Sequence, residues 1–144
     1  MNGVYVELDH PADVWLEVRA DTLPALFEHA LYAFYRQVVE LDGVHPAREV
    51  DLEAEGDSVE DCLRALLAEA LFLLETKGFL AAGAFVRACD TKGPRVHVTV
   101  HLWGETADRA RHSLLAEVKA VTYHRLTVTS TPEGGWRATV LLDV

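Results

Sequence analysis

Two periods alternate along the chain. Val4, Val6 and Leu8 are separated by Tyr5, Glu7 and Asp9, the period-two pattern of a half-buried strand. The turn Asp9-His10-Pro11-Ala12-Asp13 should stop it near His10, because Pro11 fixes its own φ and donates no hydrogen bond. Val14, Leu16 and Val18 resume the same period against Trp15, Glu17 and Arg19. The period then lengthens. Leu23, Leu26, Phe27, Ala30, Leu31, Phe34 and Val38 recur at helical spacing behind a start at Asp21-Thr22, with Pro24 tolerated in the first turn. This helix is expected to end before Asp42-Gly43, with Gly43 as a left-handed cap. His29 has no ligand partner at helical spacing and reads as a boundary residue.

After Pro46, Val50, Leu52 and Ala54 alternate with Glu49, Asp51, Glu53 and Glu55, a strand with one acidic, solvated face. Asp57-Ser58 caps a second helix whose stripe is Val59, Leu63, Leu66, Leu67, Ala70, Leu71 and Leu74, broadened by Phe72 and Leu73. So apolar a helix should be largely buried between layers, ending at Lys77-Gly78. Strands are expected at Ala84–Cys89 and Val96–Trp103 around Thr91-Lys92-Gly93-Pro94, the second ended by Gly104-Glu105. His97 and His101 share a face of the latter and read as exposed strand histidines, since no third ligand is near in sequence. Leu126 and Val128 alternate with threonines. Trp136, Ala138, Val140 and Leu142 alternate through a last strand after Pro132-Glu133-Gly134-Gly135. The pattern is that of one α+β domain over residues 1–144, two helices packed on mostly antiparallel or mixed β-sheet.

Composition narrows the function classes. The formal net charge is −10, which repels phosphate backbones and favours basic partners or metal cations. A small basic spot at Arg109, Arg111 and His112 does not offset this, so direct sequence-specific nucleic-acid binding is not expected. No apolar run approaches the roughly 20 residues of a membrane span, and no basic-then-apolar leader opens the chain. Cys62 and Cys89 lie on separate elements, which suits reduced thiols in a cytoplasmic protein.

The densest chemistry lies in Glu117-Val118-Lys119-Ala120-Val121-Thr122-Tyr123-His124. The chain has three lysines against ten arginines, and Lys77 and Lys92 each precede a glycine in a loop. Lys119 instead sits between valines before a β-prone run, where a compact point charge points to a specific contact. Two further carboxylates end strands. Asp13 follows the first turn, and Asp143 is penultimate beside Val144. If those strand ends meet, their oxygens form a hard donor set suited to Ca²⁺, Mg²⁺ or Mn²⁺. The terminal carboxylate of Val144 or a main-chain carbonyl would complete the set, and His10 would be a ligand or its support. One alternative is a metal-dependent phosphoester hydrolase, although no second carboxylate–histidine set or nucleophile motif stands out. Another is a chaperone or adaptor.

Asp9-His10-Pro11-Ala12-Asp13, the first helix from Leu23 to Phe34, Leu71-Phe72-Leu73-Leu74-Glu75, Leu102-Trp103-Gly104-Glu105, the block from His112 to His124 and Leu141-Leu142-Asp143-Val144 together resemble the archease family, in the same order and over nearly the whole chain. The most specific blocks are His-x-Ala-Asp, Lys-Ala-Val-Thr-Tyr-His and the penultimate aspartate. Pro11 replaces the usual threonine of the first, and Leu66 and Ala68 stand where many relatives carry Trp and Asn. The resemblance implies an accessory factor of the RtcB-type tRNA-splicing ligase rather than a self-contained enzyme. It would promote guanylylation of the ligase histidine from GTP and allow repeated turnover. It further implies a metal-bearing tip at Asp13 and Asp143, and an activating role for Lys119.

Overall fold

A computed structural model describes residues 5–8, as backbone, and 13–144. Its elements are β1 (Tyr5–Leu8), β2 (Asp13–Ala20), α1 (Leu23–Val38), a short 3-10 turn (Leu41–Gly43), β3 (Arg48–Gly56), α2 (Val59–Lys77), β4 (Phe79–Asp90), β5 (Val96–Thr106), β6 (Ala120–Ser130) and β7 (Trp136–Asp143). They form two sheets, one of four strands in the order β1-β2-β7-β6 and one of three in the order β3-β5-β4. Every strand pair among them is antiparallel, so no mixed sheet forms.

The helices start where the sequence caps them. Thr22 accepts from the Ala25 N–H at 3.2 Å, and Ser58 from the Asp61 N–H at 3.1 Å. Each helix contacts both sheets: α1 packs on β2, β7 and β4, and α2 on β6, β3 and β5. One apolar core therefore serves both sheets, and Phe27, Phe34, Leu63, Leu66, Val98 and Leu102 are all buried in it. The replacement Leu66 is thus a core residue.

Three sequence expectations change. The first helix stops at Val38, and Val39 turns extended to bridge Leu114, so Gly43 is not its cap. Gly78 is the left-handed cap of α2, at φ 64°. Phe72 leaves the α2 stripe and is 62% exposed. Two strands of the three-stranded sheet, β4 and β5, are longer than their alternation suggested. β4 starts directly after Gly78, and β5 runs through Gly104 and Glu105 to Thr106. Gly104 permits this: a Cβ there would collide with the Leu80 carbonyl of β4.

The strand ends that carry Asp13 and Asp143 do meet. β7 lies directly beside β2, which brings the last strand to the second.

Candidate functional site

β2 and β7 run in a register that makes Asp13 the direct partner of Asp143. Directly opposed residues of an antiparallel pair project to one face with Cβ atoms about 5 Å apart. Two carboxylates so placed repel each other unless something positive sits between them. On the other side of β7, Ala120 is the direct partner of Asp143. One residue earlier, the Lys119 N–H donates to the Asp143 carbonyl at 2.7 Å. Asp13, Asp143 and Lys119 thus come together at one end of the four-stranded sheet, from three separate parts of the chain. His10 and Pro11 lie outside the described residues. Val144 follows the last residue of β7 and is half-buried.

Two carboxylates and main-chain oxygen are the donors that could hold a cation at this strand end. That chemistry fits a hard divalent cation. Among the described residues no group of three or more His, Cys, Asp or Glu side chains forms a metal cluster. His101 instead bridges two carboxylates of β3, with Nδ1 2.7 Å from Asp51 and Nε2 2.7 Å from Glu49. Asp51, then Glu49, hold its pKa above the ordinary histidine value. The acidic face of β3 is exposed, as its pattern implied, but it is partly neutralised by this histidine and by Arg87.

Lys119 is exposed, and its ammonium makes no hydrogen bond or ion pair among the described residues. The strand that follows is interrupted by a bulge between Thr122 and Thr127. Arg125 takes a left-handed conformation there, at φ 52°, and its carbonyl accepts from the Thr139 hydroxyl at 2.9 Å. Tyr123, His124 and Arg125 are all exposed on this bulge. Tyr123 is gripped from α2: the Arg64 guanidinium lies 4.0 Å from its ring centroid and donates to its hydroxyl at 3.1 Å. Arg64 Nε also donates to the Val121 carbonyl at 3.3 Å, covering the open edge of β6. Arg64 carries no sequence signal beyond its place on α2, and the pattern alone gave no reason to pair it with Tyr123.

The segment 107–119, which ends at Lys119, is held by a polar anchor. Glu105 is buried and accepts from the Arg111 guanidinium, the His45 N–H at 2.6 Å and His112 Nε2 at 3.0 Å. The Arg111 guanidinium, then the His45 N–H, hold the Glu105 carboxyl down at about 2. His112 Nδ1 accepts from the Asp108 N–H at 2.8 Å, which fixes the neutral tautomer with its proton on Nε2. Two members of the basic spot read from the sequence are therefore engaged by Glu105, His112 buried and Arg111 still exposed, and only Arg109 is both outward and unpaired among the described residues. Cys62 and Cys89 are both free thiols, and burial pushes the Cys62 thiol up to about 11. No helix among the described residues is long and apolar enough to cross a membrane.

The chain and its fold match known proteins. The Archease protein family (MTH1598/TM1083) matches residues 5–144. The chain is similar to protein archease of Methanopyrus kandleri, with 35% identity over 139 residues, covering 96% of this chain and 97% of that one. It is similar to protein archease of Pyrococcus furiosus, with 31% identity over 136 residues, covering 94% and 95%. The solution structure of Methanobacterium thermoautotrophicum protein 1598 matches with a TM-score of 0.84 at 27% identity, covering 98% of this chain and 99% of that one. The crystal structure of an archease from Thermotoga maritima, described as a possible chaperone, shares the fold with a TM-score of 0.61 at 18% identity, covering 95% and 94%.

Proposed function

The chain belongs to the archease family, and on that premise we propose that it is a cytoplasmic accessory protein of an RtcB-type RNA ligase. It promotes guanylylation of the ligase histidine and allows multiple turnover in RNA joining. The observation that carries the reading is the convergence at the sheet end: Asp13 opposite Asp143, with the Lys119 N–H on the Asp143 carbonyl. Asp13 and Asp143 would hold one divalent cation, with Ca²⁺, Mg²⁺ or Mn²⁺ fitting the donor set, and the Val144 carboxylate and His10 as further candidates. The cation would supply positive charge beside the phosphates of the ligase substrate.

The chain's own part is positional. The β2–β7–β6 register fixes both carboxylates on one face, and the bond to Asp143 fixes the main chain from which the Lys119 side chain extends. A preorganised ammonium entering the ligase site would neutralise triphosphate charge where water is excluded, which is where such a charge acts most strongly. The test is multiple-turnover ligation by the ligase with and without this protein. Stimulation beyond one turnover supports the reading. Equal progress curves would remove it, as would a covalent guanylyl adduct on this chain incubated alone with labelled GTP, since it has no phosphate-cradling glycine loop.

A general chaperone is the second reading. The exposed Leu114 and Leu115 favour it. It predicts protection of unrelated proteins from aggregation, undiminished by chelator or by Lys119→Ala.

A further inference from the structure

Segment 107–119 exposes leucines and yet is firmly held. Leu114 is 44% exposed and Leu115 53%. The backbone carrying them is pinned on both sides: the Glu40 N–H donates to the Ser113 carbonyl at 3.0 Å, and the Leu115 N–H to the Val38 carbonyl at 2.8 Å. Beneath lies the Glu105–Arg111–His112 anchor, whose Glu105 and His112 are buried. A mobile loop could fold its leucines inward. This one is built to present them.

The leucines border an open groove of about 870 Å³. Val38, Leu74 and Val118 give it an apolar floor, and Lys119 lies on its lining. Arg109 also lines it, so two cations without a partner among the described residues face one groove of a chain whose net charge is −10. Glu75 and Glu117 lie on the same lining. Those acids disfavour a polyphosphate or nucleic-acid backbone, which is uniformly anionic. An apolar floor with charges of both signs at its sides matches a protein segment instead.

We infer that this groove docks an extended segment of the partner ligase that carries an apolar side chain flanked by a carboxylate. The apolar side chain seats against Leu74, Leu114 and Leu115, and the carboxylate pairs with Arg109. This rests on the ligase reading above, because the groove runs up to Lys119 and whatever receives that ammonium must lie against its rim. The division of labour is then plain. The groove supplies affinity, and the Lys119 tip supplies chemistry.

The experiment measures two quantities on the intact protein: the dissociation constant for the purified ligase, and the ligase guanylylation rate at saturating accessory protein. Leu114→Asp/Leu115→Asp should weaken binding about tenfold or more, as loss of a buried apolar anchor does. Arg109→Glu should weaken it by about fivefold, through loss of one charge pair and gain of a repulsion. Both should reach the native guanylylation rate once saturated. Arg109 is exposed and unpaired among the described residues, so its variant keeps the fold even if the double leucine variant does not. Native-like affinity for Arg109→Glu and for a folded leucine variant overturns the groove assignment while leaving the ligase reading intact. Weak binding with a depressed saturated rate also overturns it, since the groove would then act in the chemistry. A native chain that neither binds nor stimulates the ligase overturns both.

Discussion

Lys119 is one of three lysines in the chain, and its side chain is exposed without a partner among the described residues. Its removal should therefore cost the fold little, within about 0.5 kcal/mol, as for most surface substitutions. Lys119→Ala is expected to melt like the native protein while losing most stimulation of the ligase. Lys119→Arg should restore only part, because a planar fork does not replace a compact ammonium. Thermal melts beside turnover assays check both, and full stimulation by Lys119→Ala would reduce the residue to a solvated charge. Glu105 is the opposite kind of residue. Arg111 holds its folded pKa down to about 2, whereas an unfolded glutamate titrates near ~4.3. A depressed folded value contributes stability that is complete above the unfolded pKa and is lost as pH falls through the folded one. Denaturant midpoints should therefore decline between about pH 4.3 and about pH 2, and the decline should be shallower in Glu105→Gln. Parallel curves for the two proteins would show that the carboxylate is not linked to folding. Sequence pattern located Lys119 by its rarity. It placed Glu105 only at a strand end, because burial of a carboxylate depends on Arg111 and His45 arriving from elsewhere.

At the scale of elements, caps and alternation were legible and strand ends were not. Thr22, Ser58 and Gly78 cap where their chemistry requires. β5 continues through Gly104 because the missing side chain lets the Leu80 carbonyl approach, a fact about a neighbour that no local pattern contains. Gly104→Ala should force β4 and β5 apart and lower stability by about 1–3 kcal/mol, the usual cost of overpacking. An unchanged melting temperature would mean that the strands separate freely. The β2–β7 pairing carries the proposed metal site. Asp143→Asn keeps shape and removes one of two opposed charges. Calorimetric titration with Ca²⁺ or Mn²⁺ should show weaker binding than in the native protein, and equal binding would rule out a site shared by Asp13 and Asp143.

For the whole molecule, the sequence announces two helices and a set of alternating strands, and the last strand finds its place beside the second. The split into two sheets was hidden, because each helix buries residues toward both and its stripe reads only as broadly apolar. Phe72 was misplaced for the same reason: on so apolar a helix the period does not reveal which large side chain lies outside. The site was legible as three separate fragments, and only the register of β2, β7 and β6 joins them. The Arg64 grip on Tyr123 was invisible, since nothing in the spacing of residues 64 and 123 pairs them. The central claim is that this joined end acts on the ligase, and single-turnover labelling tests it most directly. Purified ligase is mixed with labelled GTP alone, with the native protein, and with Asp143→Asn or Lys119→Ala, and the covalent guanylyl adduct on the ligase is followed in time. The account predicts faster labelling with the native protein and a return toward the unassisted rate with either variant. Labelling that proceeds equally fast in all four mixtures would contradict it.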